Sequence, residues 1–128
     1  MKKIILVFLV FPFANIYSQQ WEIMNIRDSD NTEYSYKSKS SNTAWVKTVQ
    51  DKIEYFKNGK SAYTKGHQIV LYKFDCEEKK MGIMQVTVYD TNNNPLKIVD
   101  LGENLKMQYV IPDSIGESLL LHFCLKAD

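Results

Sequence analysis

The sequence predicts an α+β fold: an antiparallel sheet of about six strands carries one C-terminal helix, linked to it by a disulfide. Three observations lead to this prediction. Short runs of β-branched and aromatic residues alternate with turn-forming residues. The C-terminal segment carries apolar side chains at helical spacing. The only two cysteines, Cys76 and Cys124, occur in a chain that opens like an exported protein.

The N-terminal segment has the composition of a signal peptide. Lys2 and Lys3 precede a short apolar run, and a polar stretch follows it. We expect cleavage after Ser18, which leaves residues 1–18 as signal peptide and residues 19–128 as a single domain in the periplasm, on the outer surface or in the medium. The alternative is an N-terminal core strand, and the paired lysines favour export.

The net charge and the lengths of the apolar runs limit the kinds of partner that we expect. The chain has 16 bases and 15 acids, so loss of Lys2 and Lys3 leaves a nearly neutral mature domain. Such a domain has no broad attraction for nucleic acid or anionic membranes. The apolar runs are shorter than the roughly 20 residues that span a bilayer, so no transmembrane segment is predicted.

The strands are indicated by alternating polarity between Asn-, Asp- and Ser-rich turns. They are predicted over residues 21–26, 33–37, 44–49, 68–76, 81–89 and 95–99. In the fourth, Tyr72, Phe74 and Cys76 share one face, and in the fifth Ile83 is expected on the same face as Gln85. The last three strands follow one another through short turns, which predicts an antiparallel meander.

Residues 50–66 are less regular. Lysines alternate there with aromatic and apolar residues, and Asn58-Gly59 is a strong signal for a two-residue hairpin turn. We predict a flexible hairpin or a long loop, and the most basic and aromatic exposed stretch of the chain.

The C-terminal segment predicts a capped helix. Ser114 can accept a hydrogen bond from the Glu117 N–H, and the Glu117 carboxylate can reach back to the Ser114 N–H. Leu119, Leu120, Phe123 and Cys124 then fall on one helical stripe, although a final strand is the alternative. The position of Cys76 on an apolar strand face favours the helix, because its partner must pack over that face.

The cysteines predict structure rather than chemistry. Two cysteines in an exported chain favour a disulfide, with two free core thiols as the alternative.

His67 and His122 are isolated in sequence and expected at the surface, and Ser114 is explained by its capping role. No metal-ligand spacing or Gly-rich phosphate loop is present. We predict no catalytic residue, no metal and no cofactor.

Several short motifs occur in a particular order: Trp45-Val46-Lys47, Asp75-Cys76, Tyr89-Asp90, the segment from Ile111 to Leu119, and Cys124. In this order they resemble the surface-adhesin protein E-like family of small exported bacterial domains, over residues 21–126. The family's usual glycine after Tyr-Asp is replaced here by an Asn-rich turn. The resemblance implies a curved antiparallel sheet with a C-terminal helix tethered by a disulfide.

The resemblance also implies a function. The member after which the family is named is a dimeric adhesin for matrix and plasma proteins. We therefore expect an exported, non-enzymatic binding module that contacts extracellular-matrix or cell-envelope proteins and can form a homodimer. A secreted inhibitor of a host or competitor enzyme is the alternative, and a small enzyme is a further one.

The aromatic residues suggest where a partner binds. Tyrosine and tryptophan are enriched at the core of protein interfaces. We hypothesise that the irregular segment supplies the partner contacts, through Tyr55, Phe56, Lys57, Lys60 and Tyr63. The alternative is that most aromatic side chains pack on the two faces of the sheet.

Overall fold

A computed structural model of the protein describes residues 20–26 and 32–126. The predicted signal peptide, its cleavage point and the predicted turn at 28–31 lie outside these residues. The strands are β1 (Glu22–Met24), β2 (Glu33–Ser38), β3 (Thr43–Lys57), β4 (Lys60–Asp75), β5 (Lys80–Asp90), β6 (Pro95–Asp100) and β7 (Gln108–Tyr109), and the helix is α1 (Ile115–Lys126).

The first six strands lie side by side in chain order, each antiparallel to the next. The two-residue β7 pairs with the start of β5. The predicted fold class is therefore confirmed, with a sheet that is not strongly curled. The strand alternation and the short turns were sufficient signals, because each hairpin joins neighbours in sequence.

The segment at 50–66 forms a hairpin with its turn at Asn58-Gly59, as predicted, and its strands are regular, so the alternative of a long loop is wrong. β3 and β4 run through it to the two residues Asn58 and Gly59, whose φ angles are 54° and 78°. Two positive φ angles are those of a type I′ turn, whose twist matches the flanking strands. The pairing continues from Lys57 with Lys60 back to Ile53 with Thr64.

One face prediction was wrong because of a β-bulge in β5. Leu71 pairs with Gln85, whereas Tyr72 pairs with Ile83, so β5 has one more residue than β4 at this point. An extra residue reverses the alternation of side chains beyond it. Ile83 therefore shares the face of Tyr72 and not that of Gln85.

The core lies between α1 and one face of the sheet. Its buried members come from four strands and the helix: Met24, Tyr36, Ala44, Val46, Phe74, Leu119, Leu120 and Phe123. Cys76, which follows β4, is bonded to Cys124 of α1, with the two Cα atoms 5.8 Å apart. This confirms the predicted disulfide, and its Cα separation is usual for such bonds.

The helix begins at the predicted cap, with one changed partner. Ser114 Oγ accepts from the Glu117 N–H at 3.2 Å and donates to the Ile111 carbonyl at 2.6 Å. The Glu117 carboxylate accepts from the Asp113 N–H at 3.3 Å, and not from the Ser114 N–H. Asp113 has a φ of 61°, which turns the backbone N–H toward Glu117.

Candidate functional site

Within residues 20–26 and 32–126, no helix lies on the sheet face turned away from α1, and we call this the open face. Strand register assigns Trp45, Lys47 and Val49 of β3 to this face, because Ala44 and Val46 beside them lie under α1. Residues directly opposite one another share a face. The register therefore adds Ile23, Lys37, His67, Tyr89 and Ile98.

The hairpin of β3 and β4 extends beyond the rest of the sheet. The pairing of β2 with β3 ends at Val49, and the pairing of β5 with β4 ends at Gly66. We call residues 51–65 the arm. Strand rise gives it a length of about 20 Å, and no other strand of the described residues pairs with its backbone edges.

The open face and the arm concentrate the exposed apolar side chains of the strands. Six large hydrophobic residues in strands of the described chain are at least half exposed, and register places all six on the side away from α1. They are Ile23, Val49, Phe56, Tyr63, Ile98 and Tyr109. Phe56 and Tyr63, at 60% and 54% exposure, continue this surface onto the arm.

Lysines surround the two tryptophans beside this face. The Nζ atoms of Lys37 and Lys47 lie 5.8 and 5.9 Å from the ring centre of Trp21. Lys39 Nζ lies 5.4 Å from the ring of Trp45. These distances allow cation–π attraction, which keeps several ammonium groups close to a flat aromatic surface.

His67 belongs to the same surface, where it stacks on Tyr89 with ring centres 4.6 Å apart and planes inclined by 10°. Burial lowers its pKa, and the positive charge of Lys47 lowers it further. The lowered pKa favours the neutral imidazole. His67 is half-buried against Tyr89, rather than solvated as the sequence suggested.

The residues hypothesised to contact a partner do not share one face. Phe56 and Tyr63 lie on the open side of the arm, where Lys52 Nζ lies 4.4 Å from the Tyr63 ring. Tyr55, Lys57 and Lys60 project to the opposite side, by the same register. Phe56 and Tyr63 therefore extend the open face, whereas the other three residues lie on the opposite side of the arm.

His122 is placed differently from the surface position expected for it. Its ring packs edge-on against Tyr36, with ring centres 4.8 Å apart. Its Nε2 atom is buried and finds no hydrogen-bond partner among the described residues, and burial lowers the pKa of the imidazole. No group of three or more His, Cys, Asp or Glu side chains in residues 20–26 and 32–126 is arranged to hold a metal ion.

The sequence alone does not indicate that Ile23, Val49 and Ile98 belong to one surface. Strand alternation gave their local orientation, but three different strands carry them, and only the register brings them to the same face.

Within the described chain, no helix has the length and apolarity needed to cross a membrane. Comparison of the chain with family models, curated proteins and solved structures finds no match.

Proposed function

We propose that the protein is an exported, non-enzymatic binding module, and that the open face and the arm contact a protein of the cell envelope or the extracellular space. The observation that carries the proposal is the position of the six half-exposed apolar side chains on one side of the sheet. Exposed apolar surface of this kind is costly in water and is characteristic of interaction sites.

The composition of the surface supports a protein partner. The exposed Tyr63 and the half-buried Trp45 offer large, rigid aromatic area, which is enriched in the energetically dominant part of protein interfaces. Lys37, Lys39 and Lys47 lie around the tryptophans. The preferred partner surface is therefore apolar at its centre and carries carboxylates that face these ammonium groups.

The resemblance of the Asp75-Cys76 and Cys124 motifs to the surface-adhesin protein E-like family supports the adhesin-like form of this proposal. A fold hosts many functions, so the surface itself carries more weight than the resemblance. An inhibitor of a host or competitor enzyme would use the arm differently, because its tip would enter an active-site cleft.

Site-specific photocrosslinking in the source cells tests the proposal. A benzophenone amino acid at Tyr63 should give discrete protein adducts. The same group at Leu121, which is 52% exposed on α1, is the matched control and should not give them. Lys47→Glu should remove the Tyr63 adducts. Equal adducts at both positions, or none at Tyr63, would contradict the proposal.

Identification of the adduct separates the two functional classes. A matrix, plasma or envelope protein supports the binding module. An enzyme whose activity falls in a one-to-one complex supports the inhibitor instead. Fractionation of the cells supplies the second readout, because a cytoplasmic protein would contradict export and with it the whole proposal.

A further inference from the structure

A groove of about 530 Å³ lies beside the start of α1, away from the arm. Its walls come from β5, from the chain between β6 and β7, and from the first residues of the helix. The apolar lining is supplied by Tyr72, Met81, Ile83, Leu101, Val110 and Ile111. The volume falls within the roughly 300–1,000 Å³ of small-molecule sites.

Backbone contacts hold the outer wall in place at both of its ends. The Leu101 N–H donates to the Met84 carbonyl at 2.8 Å as the chain leaves β6. The Val110 N–H donates to the Lys79 carbonyl at 3.0 Å after β7. At Gly82 an added Cβ would lie 2.7 Å from Leu105 Cδ1, so the wall rests directly on β5. The groove is therefore formed before any ligand arrives.

The polar part of the groove lining carries a positive charge. Among the lining side chains that the structure describes, Lys106 is the one that carries a charge, and Asn104 and Gln108 add amide N–H donors. Among the side chains that the structure describes, an ion pair joins Lys65 to Asp51, and Lys106 has no acidic partner in that set. The Ser114 hydroxyl is already used by the Ile111 carbonyl and the Glu117 N–H.

We propose that this groove binds a small amphipathic carboxylate, with a medium-length alkyl chain along Tyr72, Ile83 and Val110 and its carboxylate at Lys106. One ammonium group balances one negative charge, which favours a carboxylate over a doubly charged phosphate. The amides of Asn104 and Gln108 can donate to the carboxylate oxygens. The groove shares Tyr109 with the protein-binding surface proposed above, but the ligand contacts at Tyr72, Ile83 and Lys106 lie outside that surface and do not depend on it.

Titration calorimetry of the purified protein, with its disulfide intact, tests the site. Decanoate below its micelle concentration should bind one to one. Decanol, which lacks the charge, should bind at least about tenfold more weakly, which corresponds to about 1.4 kcal/mol. Decyl phosphate distinguishes the head groups, and tighter binding of it than of decanoate would overturn the carboxylate assignment.

Variants locate the ligand. Lys106→Ala should weaken decanoate binding at least about fivefold and leave decanol unchanged, while Lys106→Arg should keep most of the affinity. Ile111→Asp places a carboxylate at a groove residue that is 72% exposed, so it should fold and should abolish decanoate binding. Lys97→Ala on β6 is the matched control and should have no effect.

Two further results would overturn the proposal. Absence of saturable decanoate binding to the folded protein is one of them. The other is decanoate binding that survives both Lys106→Ala and Ile111→Asp, because the ligand would then lie elsewhere on the protein. Neither result bears on the photocrosslinking at Tyr63, so failure of this site and failure of the proposed function remain distinguishable.

Discussion

Phe74 of β4 and Phe123 of α1 stack with ring centres 4.5 Å apart and planes inclined by 17°. Each lies close in sequence to one half of the disulfide, Phe74 two residues before Cys76 and Phe123 immediately before Cys124. The helix is therefore held to the end of β4 by an apolar contact and a covalent bond at the same place. Both contributions can be measured separately.

Removal of the disulfide should lower stability substantially. The bond closes a loop with a sequence separation of 48. In the chain-entropy model, such a bond lowers the free energy of the folded state, relative to the unfolded state, by about 4 kcal/mol. We expect the Cys76→Ala/Cys124→Ala variant to lose about this much in urea unfolding. A loss below about 1 kcal/mol would contradict the assigned role.

Phe123→Ala should destabilise the oxidised protein by about 3–5 kcal/mol, because it removes a buried ring and leaves a cavity. Phe56→Ala is the matched control. Phe56 is 60% exposed on the arm, so its removal should change stability by less than about 0.5 kcal/mol. Urea unfolding of both variants measures the difference. Equal losses would show that the core does not lie under α1.

Gly66 should be required for the pairing of β4 with β5. A Cβ at this position would collide with the Tyr89 carbonyl oxygen and lie 3.0 Å from Asp90 Cα. Backbone cannot move aside as a side chain can, so Gly66→Ala should cost about 1–3 kcal/mol. Gly116→Ala is the control, because its Cβ meets the flexible Met81 side chain at 3.3 Å.

The control should be neutral or stabilising, by up to about 1 kcal/mol, because alanine favours the helix more than glycine does. Thermal and urea unfolding of the two variants provide the measurement. The prediction would be contradicted if Gly116→Ala lost stability while Gly66→Ala did not.

Stability should fall as the solution is acidified through the range in which histidine titrates. Burial lowers the pKa of His122 below its ordinary value of 6.5. The unfolded chain therefore takes up a proton first as the pH falls, and the folded state loses stability until its own lower pKa is passed. The effect is absent well above the unfolded pKa.

Melting temperatures from about pH 7.5 to about pH 5.5 test this, since most carboxylates titrate lower. His122→Phe keeps a ring against Tyr36 and cannot be protonated, so its melting temperature should depend less on pH. His67 has a lowered pKa as well, so the double variant with His67→Phe should be flatter still. An unchanged slope in both variants would contradict the prediction.

Much of the fold could be predicted from local sequence patterns. The alternation around Tyr72 and Phe74, the apolar stripe from Leu119 to Cys124 and the two cysteines each act within a short stretch or through one bond. Each confines the backbone independently of the rest of the chain. The bulge opposite Tyr72 was not accessible, because an inserted residue leaves no local mark in an alternating strand.

Only part of the candidate site could be predicted from the sequence. The aromatic and basic character of residues 50–66 indicated an interaction segment, and Asn58-Gly59 indicated its turn. The division of that segment into two faces depends on the pairing of Phe56 with Ser61 and Tyr55 with Ala62. The groove at Lys106 was missed entirely, since its walls come from separated parts of the chain.

The amino-acid sequence by itself determined the fold class, the order of the strands, the capped C-terminal helix and the pair of cysteines. These features follow from interactions between residues that are near in sequence, or from the absence of any other thiol. Tertiary structure alone decided which exposed side chains form one surface and where a cavity lies. Those properties arise from strand register and loop placement, which depend on the packing of the whole domain.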